Sequence, residues 1–164
     1  MRLAENITSV ITNGRVILES IAEDSLYVGG KDRWSHKEIL GHLIDSAINN
    51  RRRFIKYQIV GKLIFDGYDQ DGWVTFSDYD SWSWQDLIDG WFIRNKEMAS
   101  LVSYIPKEVL QVESVNHNLY DVAFKTVEKG KPSSLQYFII DYLAHMEHHL
   151  YQISDSYIRI VREY

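Results

Sequence analysis

The chain has 164 residues, 45% of them apolar, and a formal net charge of −5, so it can bury a core as one domain but is too acidic for us to expect nucleic-acid binding. It contains no cysteine, which excludes a disulfide framework, a thiolate metal site and a cysteine nucleophile. The first twenty residues lack the apolar run and cleavage site of a signal peptide, and no stretch approaches the ~20 apolar residues of a membrane span. We therefore expect one domain over residues 1–164, located in the cytoplasm, that binds neither nucleic acid nor membrane.

Two long segments in the first part of the chain carry the apolar periodicity of helices. The first runs from about Ala4 to Tyr27 and ends before a Gly-Gly pair, which is a common helix stop. The second begins after Ser35, which is followed three residues later by Glu38 in the pattern of a capping box, and continues to about Val60.

Two further helices are predicted in the second half. The third begins near Ser83 and continues to about Tyr104, before a proline. The fourth begins at a second capping box, formed by Ser133 and Gln136, and runs to about Arg162. Four long helical segments and no long strand indicate an all-α domain.

Two connections between these helices are unusual. Residues 62–82 form a long link rich in aromatic and acidic residues, and links of that length in compact domains are usually functional or disordered. Its aromatic content argues against disorder. Residues 107–131 alternate in the manner of strands around the sequence Asn-His-Asn, which predicts a small hairpin or an irregular lid before the last helix.

The last predicted helix contains three histidines within five positions. His145 and His149 are four residues apart, so they project from the same side of the helix and can bind one metal ion together. His148 points away towards a more polar flank, and we expect it not to be a ligand. The core face of this helix is predicted to consist of Leu135, Ile139, Leu143, Met146, Leu150 and Ile153.

The second predicted helix supplies a third histidine. Its apolar face is Ile39, Leu40, Leu43, Ile44, Ala47, Ile48 and Phe54. His42, Ser46, Asn49 and Arg53 form a polar stripe along one edge of that face, which either lines a wet cavity or lies towards solvent. Three imidazoles from two helices would leave a coordination position open, as in catalytic zinc sites. We take Asn49 and Arg53 as pocket candidates, and the guanidinium of Arg53 could bind a substrate carboxylate.

Several other polar residues are candidates for the surroundings of such a site. Asp69 and Asp71 in the long link either approach the open face of the metal or have capping and turn roles. Asp45 and Asp141 could each accept the second ring proton of a nearby histidine, as carboxylates around metal sites often do. His117 either closes over the metal or is a solvated turn residue.

Three stretches together resemble a known family. They are "WSHKEILGHLIDSAINNRRRF", "YDQDGWV" and "DYLAHMEHHLYQI", in that order. The chain resembles the DinB-like superfamily, in particular its YfiT-type branch of metal-dependent hydrolases and thiol transferases. The resemblance implies an up-down-down-up four-helix bundle, a homodimer, and a divalent metal, zinc or nickel, bound by His42, His145 and His149.

The expected function is that of a metal-dependent enzyme acting on a small molecule. The metal would activate either water for hydrolysis or an external low-molecular-weight thiol (bacillithiol, mycothiol or glutathione) for transfer to an electrophile. The alternative is a non-catalytic module that binds a metal or a small ligand. With ordinary histidine pKa values, we expect protons to compete with the metal below about pH 6.

Overall fold

The computed structural model of the protein describes residues 3–161 and is mostly helical. Within these residues there are seven helices: α1 (Leu3–Glu19), α2 (His36–Val60), α3 (Gln70–Ser77), α4 (Trp84–Ser103), α5 (Lys107–Leu110), α6 (Leu119–Val122) and α7 (Leu135–Ile153). Two short strands, β1 (Glu113–Ser114) and β2 (Ser133–Ser134), pair in antiparallel fashion. The four long helices are α1, α2, α4 and α7, and they confirm the predicted all-α four-helix bundle.

The direction of each long helix follows from the side chains that meet between them. The indole Nε1 of Trp84 at the start of α4 donates to the carbonyl oxygen of Leu18 near the end of α1, at 3.0 Å. Helices α1 and α4 are therefore antiparallel. The rings of Phe54 in the second half of α2 and Phe138 at the start of α7 lie 5.8 Å apart, so α2 and α7 are also antiparallel.

Helices α2 and α4 run in the same direction. The ammonium group of Lys37, at the start of α2, donates to the carbonyl oxygen of Trp82, just before α4, at 2.6 Å. Ile44 packs against Gly90 one to two turns further along both helices. The long connection between α2 and α4 returns the chain to the end from which α2 began, which confirms the predicted up-down-down-up order.

Helix ends in the first half of the chain follow local chemistry. Ser35 and Glu38 form the predicted capping box, with the Ser35 hydroxyl accepting from the Glu38 amide at 3.0 Å and the Glu38 carboxylate accepting from the Ser35 amide at 2.7 Å. Helix α2 ends at Val60 and is capped by Gly61, whose φ of 66° is accessible to glycine without steric cost. The hydroxyl of Ser83 caps α4 by accepting from the amide of Asp86, as predicted.

Two predicted boundaries are wrong. Helix α1 ends at Glu19 rather than near Tyr27, and residues 23–25 form a separate 3₁₀ turn. Helix α7 ends at Ile153, and residues 154–161 are not helical; the predicted end at Arg162 lies outside the described residues. In both cases apolar residues after the helix, such as Leu26 and Tyr157, are buried in the core, and their spacing imitates a continued periodic pattern.

The predicted second capping box, Ser133 with Gln136, does not form. Ser134, not Ser133, precedes α7, and its hydroxyl accepts from the amide of Tyr137 at 3.2 Å. Ser133 instead lies in β2, opposite Ser114. Adjacent serines present the same capping chemistry, and pairing between β1 and β2 decides which one ends the extended segment.

Both long connections contain more regular structure than predicted. The 62–82 link contains α3 and a 3₁₀ turn at residues 79–81. The 107–131 segment is not a hairpin around Asn-His-Asn, because β1 pairs with β2 immediately before α7. The segment also contains the two short helices α5 and α6. The apolar residues of this segment divide between core and surface, since Leu119 is buried whereas Val112 and Val115 are exposed.

The core lies between the four long helices. All six residues of the predicted α7 stripe are buried, and of the predicted α2 face only Ile48 is partly exposed. The largest fully buried side chain is Trp91 of α4. An added Cβ on Gly14 would lie 2.7 Å from the Trp91 ring, so α1 approaches it where glycine leaves room. Among residues 3–161, no helix combines the length and apolar character needed to cross a membrane.

Candidate metal centre

Three histidines from two helices converge at one point between α2 and α7. The Nε2 atoms of His42 and His149 each lie 3.1 Å from the Nε2 atom of His145. Their ring centroids are 4.6 to 5.1 Å apart. Within residues 3–161, no other histidine and no carboxylate joins this group. The structure therefore brings together the three histidines that the sequence selected, and it leaves His148 outside the cluster.

The packing of α2 explains why His42 faces α7. An added Cβ on Gly41 would lie 2.0 Å from the ring of Tyr79, so this ring rests directly on the helix backbone. Tyr79 thereby occupies one side of α2, and the antiparallel α7 occupies the other. The indole ring of Trp34 covers His42, with centroids 5.0 Å apart. His42 is 1% exposed, so its imidazole is fixed inside the bundle.

The contacts of the ring nitrogens indicate that lone pairs converge at the centre. The Nδ1 atom of His149 lies 2.7 Å from the side-chain oxygen of Gln152, to which it donates its proton. That tautomer leaves the Nε2 atom of His149 without a proton. The Nε2 atom of His145 faces two other Nε2 atoms and, as one donor or one acceptor, cannot satisfy both.

A divalent cation fits this donor set. In a tetrahedral zinc site with N–Zn distances of ~2.0–2.1 Å, the ligand nitrogens are about 3.3 Å apart, which is close to the 3.1 Å between Nε2 atoms here. A cation would also remove the mutual repulsion of the lone pairs. Three histidines form the protein part of an open site, since structural zinc sites normally have four protein ligands.

Burial keeps the cluster neutral, as metal ligation requires. Loss of hydration, reinforced by the neighbouring His149, lowers the pKa of His42 to about 3. The same cause lowers the pKa of His149 to about 4 and that of His145 well below its usual value. Protonation of the folded, metal-free site therefore begins well below the value near pH 6 expected from ordinary histidines.

A cavity of about 280 Å³ opens beside the cluster. His145, His148 and His149 line one end of it. The ring of Phe124, which is 5.4 Å from that of His145 and 5.3 Å from that of His148, covers this end. Asp141 holds the covering segment, because its two carboxylate oxygens accept from the amides of Phe124 at 2.8 Å and Lys125 at 2.7 Å.

The polar stripe predicted on α2 is buried. Its residues line two different cavities. Ser46 and Arg53 line the cavity of the histidines. Asn49 lines a second cavity of about 390 Å³ on the other side of Arg53 and donates to the carbonyl oxygen of Asp45 at 2.9 Å. Of the two pocket candidates on α2, Arg53 borders the histidine cavity and Asn49 does not.

The acidic candidates have structural contacts. Asp69 is exposed and caps α3, with its carboxylate accepting from the amide of Gly72 at 3.1 Å. Asp45 does not accept a proton from His42, whose Nδ1 atom has no hydrogen-bond partner in residues 3–161. It accepts instead from the hydroxyl of Tyr79 at 2.6 Å. The exposed Asp71 lies in the first turn of α3.

His117 is neither a metal ligand nor a solvated turn residue. It is 5% exposed. Its Nδ1 atom accepts from the amide of Leu119 at 3.2 Å, and its Nε2 atom donates to the carbonyl oxygen of Lys131 at 2.8 Å. Both nitrogens thus hold the 107–131 segment together.

Sequence reasoning missed four residues around the site. Trp34, Phe124 and Gln152 contact the histidines, and Tyr68 lines the histidine cavity. Trp34 could have been identified, because it directly precedes the cap of α2, where apolar side chains often pack back onto the helix. Phe124 lies in a connection whose course depends on tertiary contacts, so its position carries no sequence signal. Tyr68 begins the stretch "YDQDGWV", which pointed to the link but not to this side chain.

Comparison with solved structures identifies the fold. The chain matches a structure described as "YfiT from Bacillus subtilis is a probable metal-dependent hydrolase with an unusual four-helix bundle topology". The match has a TM-score of 0.68 and 16% sequence identity over 93% of this chain and 82% of that chain. This chain has the YfiT fold. The resemblance to the YfiT-type branch is thus confirmed at the level of the fold. No family model and no curated protein matches the chain.

Proposed function

We propose that the protein is a metal-dependent enzyme whose metal is bound by His42, His145 and His149. The observation that carries the proposal is the convergence of three neutral imidazoles, with Nε2 separations of 3.1 Å, at one end of a cavity. The YfiT structure, which has the same fold, is itself described as a probable metal-dependent hydrolase. Zinc or nickel is the proposed metal, since imidazole ligands suit both.

The side chains around the cluster have separate roles in this proposal. A divalent ion supplies Lewis acidity, which lowers the pKa of water or of a thiol so that either becomes a nucleophile near neutral pH. Gln152 orients His149 by accepting from its Nδ1 atom. Trp34 and Phe124 pack against His42 and His145 and exclude bulk water from their side of the cluster. The substrate enters the cavity lined by His145 and His149.

The reaction is either hydrolysis or transfer of a low-molecular-weight thiol to an electrophile. The chain has no cysteine, so a thiol nucleophile must come from outside, in the manner of bacillithiol, mycothiol or glutathione. The two reactions differ in their co-substrate. Hydrolysis needs only the substrate, whereas thiol transfer consumes one free thiol per product, which a thiol-reactive dye measures directly.

Metal analysis of a matched pair of variants tests the proposal. His145→Gln removes a cluster member, and His148→Gln alters the same helix three residues away without removing one. Protein purified without an immobilised-nickel column should contain one divalent metal per chain. We expect the His145→Gln variant to lose the metal and all turnover in hydrolase and thiol-transfer panels, and the His148→Gln variant to keep the metal.

Two results would contradict the enzyme proposal. If metal-free and metal-loaded protein turn over a substrate equally, the metal has no catalytic role. If the metal binds tightly and exchanges no ligand with added thiol or azide, the protein is a non-catalytic metal-binding module.

We also propose that the chain forms a homodimer in the cytoplasm and acts on a small molecule without nucleic acid or membrane. The resemblance to the YfiT-type branch supports the dimer, and Phe76, Trp82 and Tyr104 are exposed aromatic side chains that an interface could cover. Light scattering at micromolar concentration should give twice the monomer mass of 19.3 kDa. A monomer mass would exclude the dimer. Salt-sensitive binding to DNA would contradict the expectation, drawn from the net charge, that the protein binds no nucleic acid.

A further inference from the structure

Arg53 is a buried cation between two cavities. It is 8% exposed, and together with Tyr68 it lines both the histidine cavity and the second one. Its guanidinium carbon lies 5.8 Å from the centroid of the Tyr68 ring and 5.9 Å from that of Phe138. The side chain is therefore fixed between two aromatic rings rather than extended into solvent.

The partners of this guanidinium are all neutral. Its Nε and Nη2 atoms donate to the carbonyl oxygen of Asp66 at 3.3 and 2.8 Å, and its Nη1 atom donates to the side-chain oxygen of Asn50 at 3.1 Å. No carboxylate of residues 3–161 forms an ion pair with it. The carboxylate of Asp66 is largely exposed and pairs with Lys56 at 3.4 Å. This exposed carboxylate acts on Arg53 electrostatically but makes no direct ion pair with it.

A buried charge without a direct ion pair is costly, and proteins normally pair it or reserve it for a ligand. A guanidinium has five N–H groups, and the contacts above use one on each nitrogen, which leaves one on each terminal nitrogen. The planar fork of arginine matches the two oxygens of a carboxylate. Of the two carboxylates that line the same cavity, Asp141 accepts from the backbone amides of Phe124 and Lys125, and Asp121 is exposed.

We propose that Arg53 binds the carboxylate of an elongated substrate whose reacting group lies at the histidine cluster. Only the position of the reacting group rests on the proposed function; the binding of the carboxylate by Arg53 does not. Phe138, which contacts Arg53, and His145 are both on α7, seven residues apart, or about 10 Å along the helix axis. The substrate is therefore a linear organic acid that spans this distance within the cavity of about 280 Å³.

Binding of the substrate carboxylate at Arg53 can be tested without metal. Octanoate and 1-octanol share a chain length and differ in the carboxylate, so calorimetry with metal-free protein compares the charged and neutral probes directly. We expect octanoate to bind about tenfold to a hundredfold more tightly, the range expected for a charge-assisted hydrogen bond. Equal binding of the two probes to the wild-type protein would overturn the proposal, whatever the metal content.

Variants assign the preference to this side chain. Arg53→Met removes the charge at similar length, and Arg51→Met does the same at an exposed position two residues earlier. The preference for octanoate should disappear in the first variant and remain in the second. Arg53→Lys keeps the charge without the fork and should retain part of the preference, which provides a second test if Arg53→Met does not fold. A preference that survives in folded Arg53→Met overturns the proposal.

The distance between the two ends needs a bifunctional probe. Cobalt-loaded protein should bind 8-mercaptooctanoate with a thiolate-to-cobalt absorption band, and more tightly than 8-mercaptooctan-1-ol by the same factor as in the metal-free comparison. If octanoate binds at Arg53 and neither thiol gives the band, the anion site is retained and the proposed metal function fails. If both thiols give the band with equal affinity, the metal site is retained and the role of Arg53 as anchor is refuted.

Discussion

Helix α7 carries buried and half-buried polar side chains with two kinds of partner. Glu147 accepts from the hydroxyl of Tyr157 and from the amides of Ile160 and Val161. His145 and His149 instead face another histidine through their Nε2 atoms. The carboxylate is satisfied by donors of its own chain, whereas the inner nitrogens of the histidines are not.

This difference separates the carboxylates of α7, which bind donors of the chain, from the proposed metal ligands on the same helix. Asp141 follows the pattern of Glu147, because both of its oxygens accept from amides of the segment after α6. The acids of α7 therefore fasten two irregular segments to the bundle. The Nε2 atoms of the histidines meet only one another within residues 3–161, and this supports the metal site proposed above.

The largest expected effect is the loss of stability of the metal-free protein as the pH falls. The pKa of His42 is lowered to about 3 and that of His149 to about 4 in the folded state, against about 6.5 when unfolded. Between these values the unfolded chain binds more protons, so the free energy of unfolding is highest above pH 6.5 and falls below it. Each histidine contributes a slope of about 1.4 kcal/mol per pH unit.

Urea unfolding at several pH values checks this expectation. The His145→Leu variant should show a shallower slope than the wild type, because it removes one of the groups whose pKa is lowered by burial. A stability that does not vary between pH 7 and pH 5 would show that the cluster is not neutral by burial.

Glu147→Gln should lower the free energy of unfolding by about 3 kcal/mol, since three hydrogen bonds to a buried carboxylate are weakened together. Residues 154–161 should exchange their amide hydrogens faster, and the metal content at pH 7 should not change. Glu108→Gln, at an exposed position, is the control. Metal loss in a folded Glu147→Gln protein would show that the carboxylates and the histidines of α7 do not act separately.

Asp141→Asn should cost about 2 kcal/mol, because two amides lose a charged acceptor. Phe124 would then pack less firmly on His145 and His148, so we expect the KM of a substrate to rise with one metal per chain retained. Hydrogen exchange at residues 123–125 and metal analysis measure the two effects. Unchanged exchange at those residues would show that Asp141 does not hold the segment.

The smallest effect is expected at Asp69. Its carboxylate caps α3, so Asp69→Ala should cost about 1 kcal/mol, the usual value for a lost cap. Metal content and KM should remain those of the wild type, in contrast to Arg53→Met, for which we expect a higher KM. A changed KM in the Asp69→Ala variant would show that this side chain contributes to substrate binding.

The sequence alone determined the bundle and the members of the cluster. Apolar residues at helical spacing and the Ser35 capping box are local signals, and they located α2 and α4 within one or two residues. The pair His145 and His149 was identifiable because four residues on a helix always share a side. His42 was identifiable because it borders the apolar face of a second helix, and faces of that kind meet in the core.

Only the tertiary structure decided what surrounds the cluster. Asp45 was expected to accept a proton from His42, but its carboxylate accepts from the hydroxyl of Tyr79 instead. His117 was expected in a turn, but its ring nitrogens form hydrogen bonds with the carbonyl oxygen of Lys131 and the amide of Leu119. Each partner lies in a connection between helices, and the course of a connection is set by long-range packing rather than by periodicity. The sequence therefore fixes which groups are available, and the fold decides which of them are already paired.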